Sequence, residues 1–156
     1  MIRTLWTHFE EIAGSIILAV MTTVAFLNVV TRYFIKYSFS FTEEIEVNLF
    51  VWLVLLGTSL AFRKGAHLSM NFFYDRFPPA VRKIFFLATT GICVAFFAVL
   101  AHLGRLEVLD ELALSVTTES LGIPVVVYTA AVPVLSLLVI VRILQQSAAA
   151  LRAGDI

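Results

Sequence analysis

The chain has 156 residues, of which 60% are hydrophobic and only 14% charged, and its mean hydropathy is +0.96. Soluble domains carry about 45–50% apolar and about 25% charged residues, so this composition is that of a membrane protein. With 11 basic and 11 acidic side chains there is no basic stripe to follow a nucleic acid, and the lone Cys93 excludes an internal disulfide and dithiol redox chemistry within the chain.

The first stretch, MIRTLWTHFEE, sets Leu5, Trp6 and Phe9 among Arg3, Thr7, His8 and Glu10. It reads as a short interfacial helix with Trp6 at headgroup level. A first span is expected over about 12–30. Its uncharged run is too long for the apolar core of a cleavable signal peptide, and no small-residue cleavage site follows, so it reads as an anchor that stays. Ser15 and Ala19 make a weak small-residue pair, and Asn28 and Arg32 mark the far end. The aromatic loop from Tyr33 to Thr42 is short, which brings Arg32 to the same membrane side as Glu43 and Glu44 and within reach of them.

The second span, expected over about 45–62, carries the most pattern. Thr42 is placed to cap its N-terminus, with Glu43, Glu44 and Glu46 in the first turn, where carboxylates complement the helix dipole by about 0.3–1 kcal/mol each. The uncharged run from Val47 to Phe62 is 16 residues, roughly 24 Å of helix. That is a little less than the ~30 Å hydrocarbon core, so the flanking charges are expected at the headgroups. Glu44, Asn48, Trp52, Ser59 and Arg63 form a polar line at helical spacing. Such a line is costly in lipid and should turn toward protein. Arg63, Lys64 and His67 close the span and, with Arg76, read as anchors at the membrane interface.

The next connector, RKGAHLSMNFFYDRFPPAVRK, carries five basic residues against Asp75 alone. Its Leu68, Phe72, Phe73 and Phe77 suit an interfacial position, and Pro78–Pro79 would end a helix there. A third span is expected over about 84–103, with Gly91 allowing a close helix contact and His102 near its end. An acidic connector with Glu107, Asp110, Glu111 and Glu119 follows. The fourth span is expected over about 122–141, with Pro124 in its first turn and a kink at Pro133.

Four spans put both termini on one side. Grouping the termini with the middle connector collects Arg3, Arg63, Lys64, Arg76, Arg82, Lys83, Arg142 and Arg152, against Arg32, Lys36 and Arg105 on the other side. The excess of basic residues predicts that both termini are cytoplasmic. The expectation is an all-α integral membrane protein, one four-helix domain over 1–156, with an interfacial connector between helices 2 and 3.

For chemistry, no Ser–His–Asp or metal-ligand set accompanies the outward carboxylates. His8 and His67 fall on one side and His102 near the other, so a haem held by two histidines lacks ligands at matching depth. A self-sufficient transporter carries an ionisable group near mid-membrane, and none of the four runs has one. No catalytic, substrate-binding or metal residue and no cofactor is expected. The pattern is that of a subunit, an interaction protein rather than an enzyme. A membrane anchor of a redox complex is the alternative, and a small independent exporter a third reading.

A set of residues in order then carries a resemblance: Arg32-Tyr33, Thr42-Glu43-Glu44, Phe50-Val51-Trp52, Gly57, Arg63-Lys64-Gly65-Ala66-His67, Tyr74-Asp75-Arg76, Leu121-Gly122-Ile123-Pro124, Tyr128 and Pro133. It resembles the small membrane subunit of tripartite ATP-independent periplasmic (TRAP) transporters, the DctQ-like family, over essentially the whole chain. Phe41 and Val125–Val126 stand where that family commonly has aromatic residues. The resemblance implies a non-catalytic subunit of a sodium-coupled secondary transporter for organic acids in the bacterial inner membrane. It implies two protein partners besides the bilayer: a large multi-span subunit holding the sodium and substrate sites, which this chain braces, and a periplasmic substrate-binding protein. It further implies that Arg32, Glu43, Glu44, Asn48, Trp52 and Gly57 line the face toward the large subunit. With the chain ending at Ile156, the small and large subunits are expected to be separate polypeptides.

Overall fold

In lipid a backbone has no hydrogen-bond partner but itself, so long uncharged runs must become helices. A computed structural model of the chain describes residues 2–36, 39–64 and 78–153, and these are almost wholly helical. Helix α1 runs Ile2–Phe34, α2 Ser40–Arg63, α3 Pro79–Leu114, α4 Val126–Thr129 and α5 Ala131–Ala153. Four stretches are long and apolar enough to cross a membrane: His8–Phe34, Ser40–Arg63, Val81–Leu114 and Val126–Arg152, the last combining α4 and α5. The interfacial connector expected between the second and third spans lies at 65–77, outside the described residues.

Several boundaries differ from the sequence expectations. The N-terminal stretch is continuous with the first span as one 33-residue helix, because no proline or glycine interrupts it before Gly14. Helix α2 begins two residues ahead of Thr42, with Phe39 as its N-cap and no side-chain cap. The Thr42 hydroxyl instead donates back to Phe39 O at 2.6 Å. Helix α3 does not stop near Leu103 but reaches Leu114, 36 residues in all, so Glu107, Asp110 and Glu111 are helical rather than in a loop. Its length is roughly 54 Å at 1.5 Å per residue, well beyond the hydrocarbon thickness. It ends at Ser115, whose φ of 50° is left-handed and whose N–H folds back to Leu112 O.

The packing is a row. Helix α1 lies along α2, α2 along α5, and α5 along α3, and no other pair of long helices packs extensively. In α1 the seam residues are Glu10, Gly14, Ile17, Met21, Val24, Asn28 and Thr31, none of them exposed. Their alternating steps of four and three are the seam of a helix with one neighbour. The core sits between the middle helices and α3: Leu55, Leu56, Phe97, Ala131, Leu135, Val139 and Ile143 are buried. Between lipid-embedded helices the hydrophobic effect contributes little, so close fit decides. Among the described glycines the closest fit is at Gly104 of α3, where an added Cβ would stand 2.8 Å from Val132 Cγ1 and 3.0 Å from Pro133 Cδ. Gly91, expected to be the close contact, is exposed with nothing within 4 Å of such a Cβ.

Pro133 acts where expected. It has no N–H to offer Thr129 O, and the last span is broken at Ala130, four residues after Val126 and just before α5. Ahead of the break, residues 115–125 form a tight return. Thr118 N–H donates to Ile123 O at 2.8 Å and Val125 N–H to Val116 O at 3.1 Å, with Gly122 at φ +65° making the turn.

Candidate functional site

Polar side chains gather at two levels of this row, one at each end of α2.

At the C-terminal end of α2 a charge cluster joins α1, α2 and α5. Glu10 is 1% exposed and Arg142 7%. Arg142 Nε donates to Glu10 Oε1 at 2.7 Å, and Ser59 Oγ donates to the same oxygen at 2.8 Å. Arg63 Nη1 approaches Glu10 Oε2 at 3.0 Å while its Nη2 donates to Glu11 Oε1 at 2.7 Å. Lys64 adds a further contact to Glu11 at 3.1 Å, and Arg142 Nη1 donates to Gln145 Oε1 at 3.0 Å. A carboxylate this buried is tolerable because two donors meet its Oε1 and two guanidinium charges, of Arg142 and Arg63, stand against it, although Oε2 has the charge of Arg63 beside it without a hydrogen bond. Arg63 and Lys64, read from the sequence as interfacial anchors, thus have acidic partners within the chain, and Lys64 remains 59% exposed at its side chain. His67 and Arg76 lie outside the described residues.

At the N-terminal end of α2 the polar groups tie it to the 115–125 return and to α4. Glu44 Oε2 accepts from Ser120 N–H at 3.1 Å. Trp52 Nε1 donates to Tyr128 O at 3.1 Å, and Thr129 Oγ1 donates to Glu111 Oε1 at 2.8 Å. Asn48 Nδ2 donates to Glu44 O of its own helix at 2.8 Å. An open cleft of about 590 Å³ separates α2 from the return, lined by Glu43, Glu44, Asn48, Thr117, Glu119 and Ser120 among others. Its carboxylates give it the character of a cation-attracting surface. Among the described residues no group of three or more His, Cys, Asp and Glu is arranged to hold a metal.

The polar line of α2 therefore turns toward protein, and for Glu44, Trp52, Ser59 and Arg63 that protein is this same chain. Arg32 is exposed and makes no ion pair with Glu43 or Glu44 among the described residues. Glu43 and Gly57 are exposed at the two ends of a stripe of α2 that continues through Val47, Phe50, Val51 and Val54 and faces away from Trp52 and Ser59, with Glu43 and Val47 also edging the cleft. At 100° per residue these positions fall within about a third of the helix circumference, so they share one face. Sequence reasoning missed Glu10, Glu11 and Arg142 as a cluster. The available signal was two acids directly before one apolar run and bases directly after two others.

The profile of the DctQ component of tripartite ATP-independent periplasmic transporters matches residues 21–153. A Haemophilus influenzae protein described as a TRAP transporter small permease is 43% identical over 83 residues, 51% of each chain. The C4-dicarboxylate TRAP transporter small permease protein DctQ of Rhodobacter capsulatus is 29% identical over 114 residues, 73% of this chain and 50% of that protein. The sialic acid TRAP transporter small permease protein SiaQ of Vibrio cholerae is 27% identical over 109 residues, 70% of this chain and 60% of that protein. The chain spans about half the length of these relatives.

Proposed function

The chain belongs to the DctQ component family of TRAP transporters, a multi-pass protein of the bacterial inner membrane, and from that premise we propose that it is the small, non-catalytic subunit bracing a larger membrane subunit that carries substrate. The match over residues 21–153 carries this reading. The family is one of transporter components, not of enzymes. The transporter is sodium-coupled and takes organic acids, in keeping with the dicarboxylate and sialic acid named for its relatives. A periplasmic substrate-binding protein is the third partner. Both termini lie in the cytoplasm, and the whole of 1–156 forms one membrane domain.

Within this reading, the exposed stripe of α2 from Glu43 to Gly57 and the exposed Arg32 in the last turn of α1 meet the large subunit. Gly57 is open enough for a partner backbone to come close. Glu44, Asn48 and Trp52 hold that face in shape through Ser120, the α2 backbone and Tyr128.

The test is to tag the chain in its own host, extract it in mild detergent and identify by mass spectrometry what accompanies it. A large polytopic membrane protein in about equal amount is expected. Gly57→Leu and Glu43→Arg should lower its recovery while leaving the amount of this chain unchanged. A chain that comes out alone overturns the subunit reading, and full recovery with both variants overturns the interface.

A further inference from the structure

Two contacts fix α3 against α5. Thr90 stands 3.4 Å from Ser147, and Gly104 abuts Val132 and Pro133, so the two helices run side by side in opposite directions. The next two turns of α3 therefore continue past Val132 toward Val126, in keeping with Glu111, which accepts from Thr129 Oγ1 at 2.8 Å. Residues 126–132 lie well inside the uncharged run from Leu121 to Val141. They are tied to α2 by Trp52, whose indole donates to Tyr128 O, and Trp52 belongs to the uncharged run from Val47 to Phe62. Its neighbour Leu53 lies against Gly14, within the uncharged run of α1.

At this depth the other three spans are uncharged and α3 is not. Arg105, Glu107 and Asp110 stand there, exposed, and their side chains have no ion pair or hydrogen bond among the described residues. Gly104 and Glu111, both buried, mark the side of α3 turned toward α5 and α4. The rest of the circumference sets the three charges among Leu106, Leu109 and Leu112, all exposed. Lipid does not suit such a surface, because an unpaired charge in hydrocarbon is among the costliest placements of a side chain. Water does not suit it either, because a wet recess would leave three neighbouring leucines uncovered. A protein surface satisfies both, covering the leucines and meeting the charges.

We propose that the stretch of α3 from Arg105 to Leu112 is seated, within the membrane, against the large subunit, whose facing helices present basic side chains or hydrogen-bond donors at that depth. The contact rests on the subunit reading above and is additional to the stripe of α2. With two acids to one base, the exposed surface carries an excess of negative charge. A second copy of this chain would bring the same excess and double it, whereas a different chain can cancel it. Polar groups that would be expensive in lipid thereby fix the height and rotation at which the two subunits meet.

The test replaces Leu106, and separately Leu109, by the photoreactive residue benzoylphenylalanine in the full chain, expressed in its own host. Illuminated membranes should give, from both positions, a crosslink to a polytopic membrane protein larger than this chain, identified by mass spectrometry. Adducts with lipid alone, a crosslink to a second copy of this chain, or no adduct at all overturns the contact. Recovery of the unsubstituted chain keeps the two readings apart. If the large protein accompanies it yet neither position links to that protein, only this contact fails. If nothing accompanies it, the subunit reading fails as well. As a second measurement, Glu107→Lys together with Asp110→Lys should lower recovery of the large protein severalfold, with the amount of this chain in the membrane unchanged. Recovery equal to that of the parent overturns the part given to the charges.

Discussion

Arg142 Nε lies 2.7 Å from Glu10 Oε1, a bond between the last helix and the first across 132 positions of sequence. Glu10 also accepts from Ser59 and faces Arg63, so the contact holds three helices to one carboxylate.

Glu10→Gln leaves the buried Arg142 without its counter-charge. Removing one partner of a buried pair costs roughly 3–5 kcal/mol, whereas removing both charges together costs much less than the sum. Glu10→Gln and Arg142→Gln should each lower the thermal midpoint of the detergent-solubilised chain, and the double variant should fall by less than the two single drops added. Strictly additive losses would show that the two side chains act independently.

Gly104→Ala places a methyl 2.8 Å from Val132 Cγ1, in a close contact between α3 and α5. Overpacking of this kind costs about 1–3 kcal/mol. Gly91→Ala, which meets nothing, is the matched control on the same helix. A lower thermal midpoint for the first variant only is the expected result, and equal behaviour of the two would refute the assignment.

Trp52→Phe keeps an aromatic, though smaller, side chain and removes the indole N–H that reaches Tyr128 O. A hydrogen bond of this kind is worth about 1 kcal/mol net. The loss should appear as faster amide exchange in Val126–Thr129 ahead of the break at Ala130, with exchange in α3 unchanged. Uniform exchange across both segments would count against a local tether.

Glu44→Ala frees the Ser120 N–H and with it the 115–125 return. Limited proteolysis from the carboxylate-lined side should then cut within 116–122 faster than in the parent chain. Glu43→Ala, whose carboxylate is exposed, should leave the cutting rate unchanged. Identical cleavage of both variants would show that Glu44 does not restrain the return.

The helices themselves were legible because uncharged runs of this length have one outcome in a membrane. The break before Pro133 was legible too, since a missing N–H acts locally. Polar partnership was legible only in part. Glu44, Trp52, Ser59 and Arg63 announce themselves by their spacing on α2, but spacing carries no record of what they face. Glu10 and Arg142 look like ordinary end-of-span charges until the first and last helices are brought together. Gly91 and Gly104 differ only by which side of α3 they occupy, and that depends on where α5 packs. The reach of α3 to Leu114 was hidden by its acidic composition, which suits a solvated helix as well as a loop.

The order of helices in the row differs from their order of synthesis. Helix α5, made after α3, lies between α2 and α3 and is the neighbour along which both of them pack. A chain that stops before Ala131 therefore holds a hairpin of α1 with α2 and a long α3 that lacks its main flank. The stretch from Ala131 onward thus decides whether the row forms, and products truncated ahead of it should present membrane proteases with an α3 whose α5-facing side is bare.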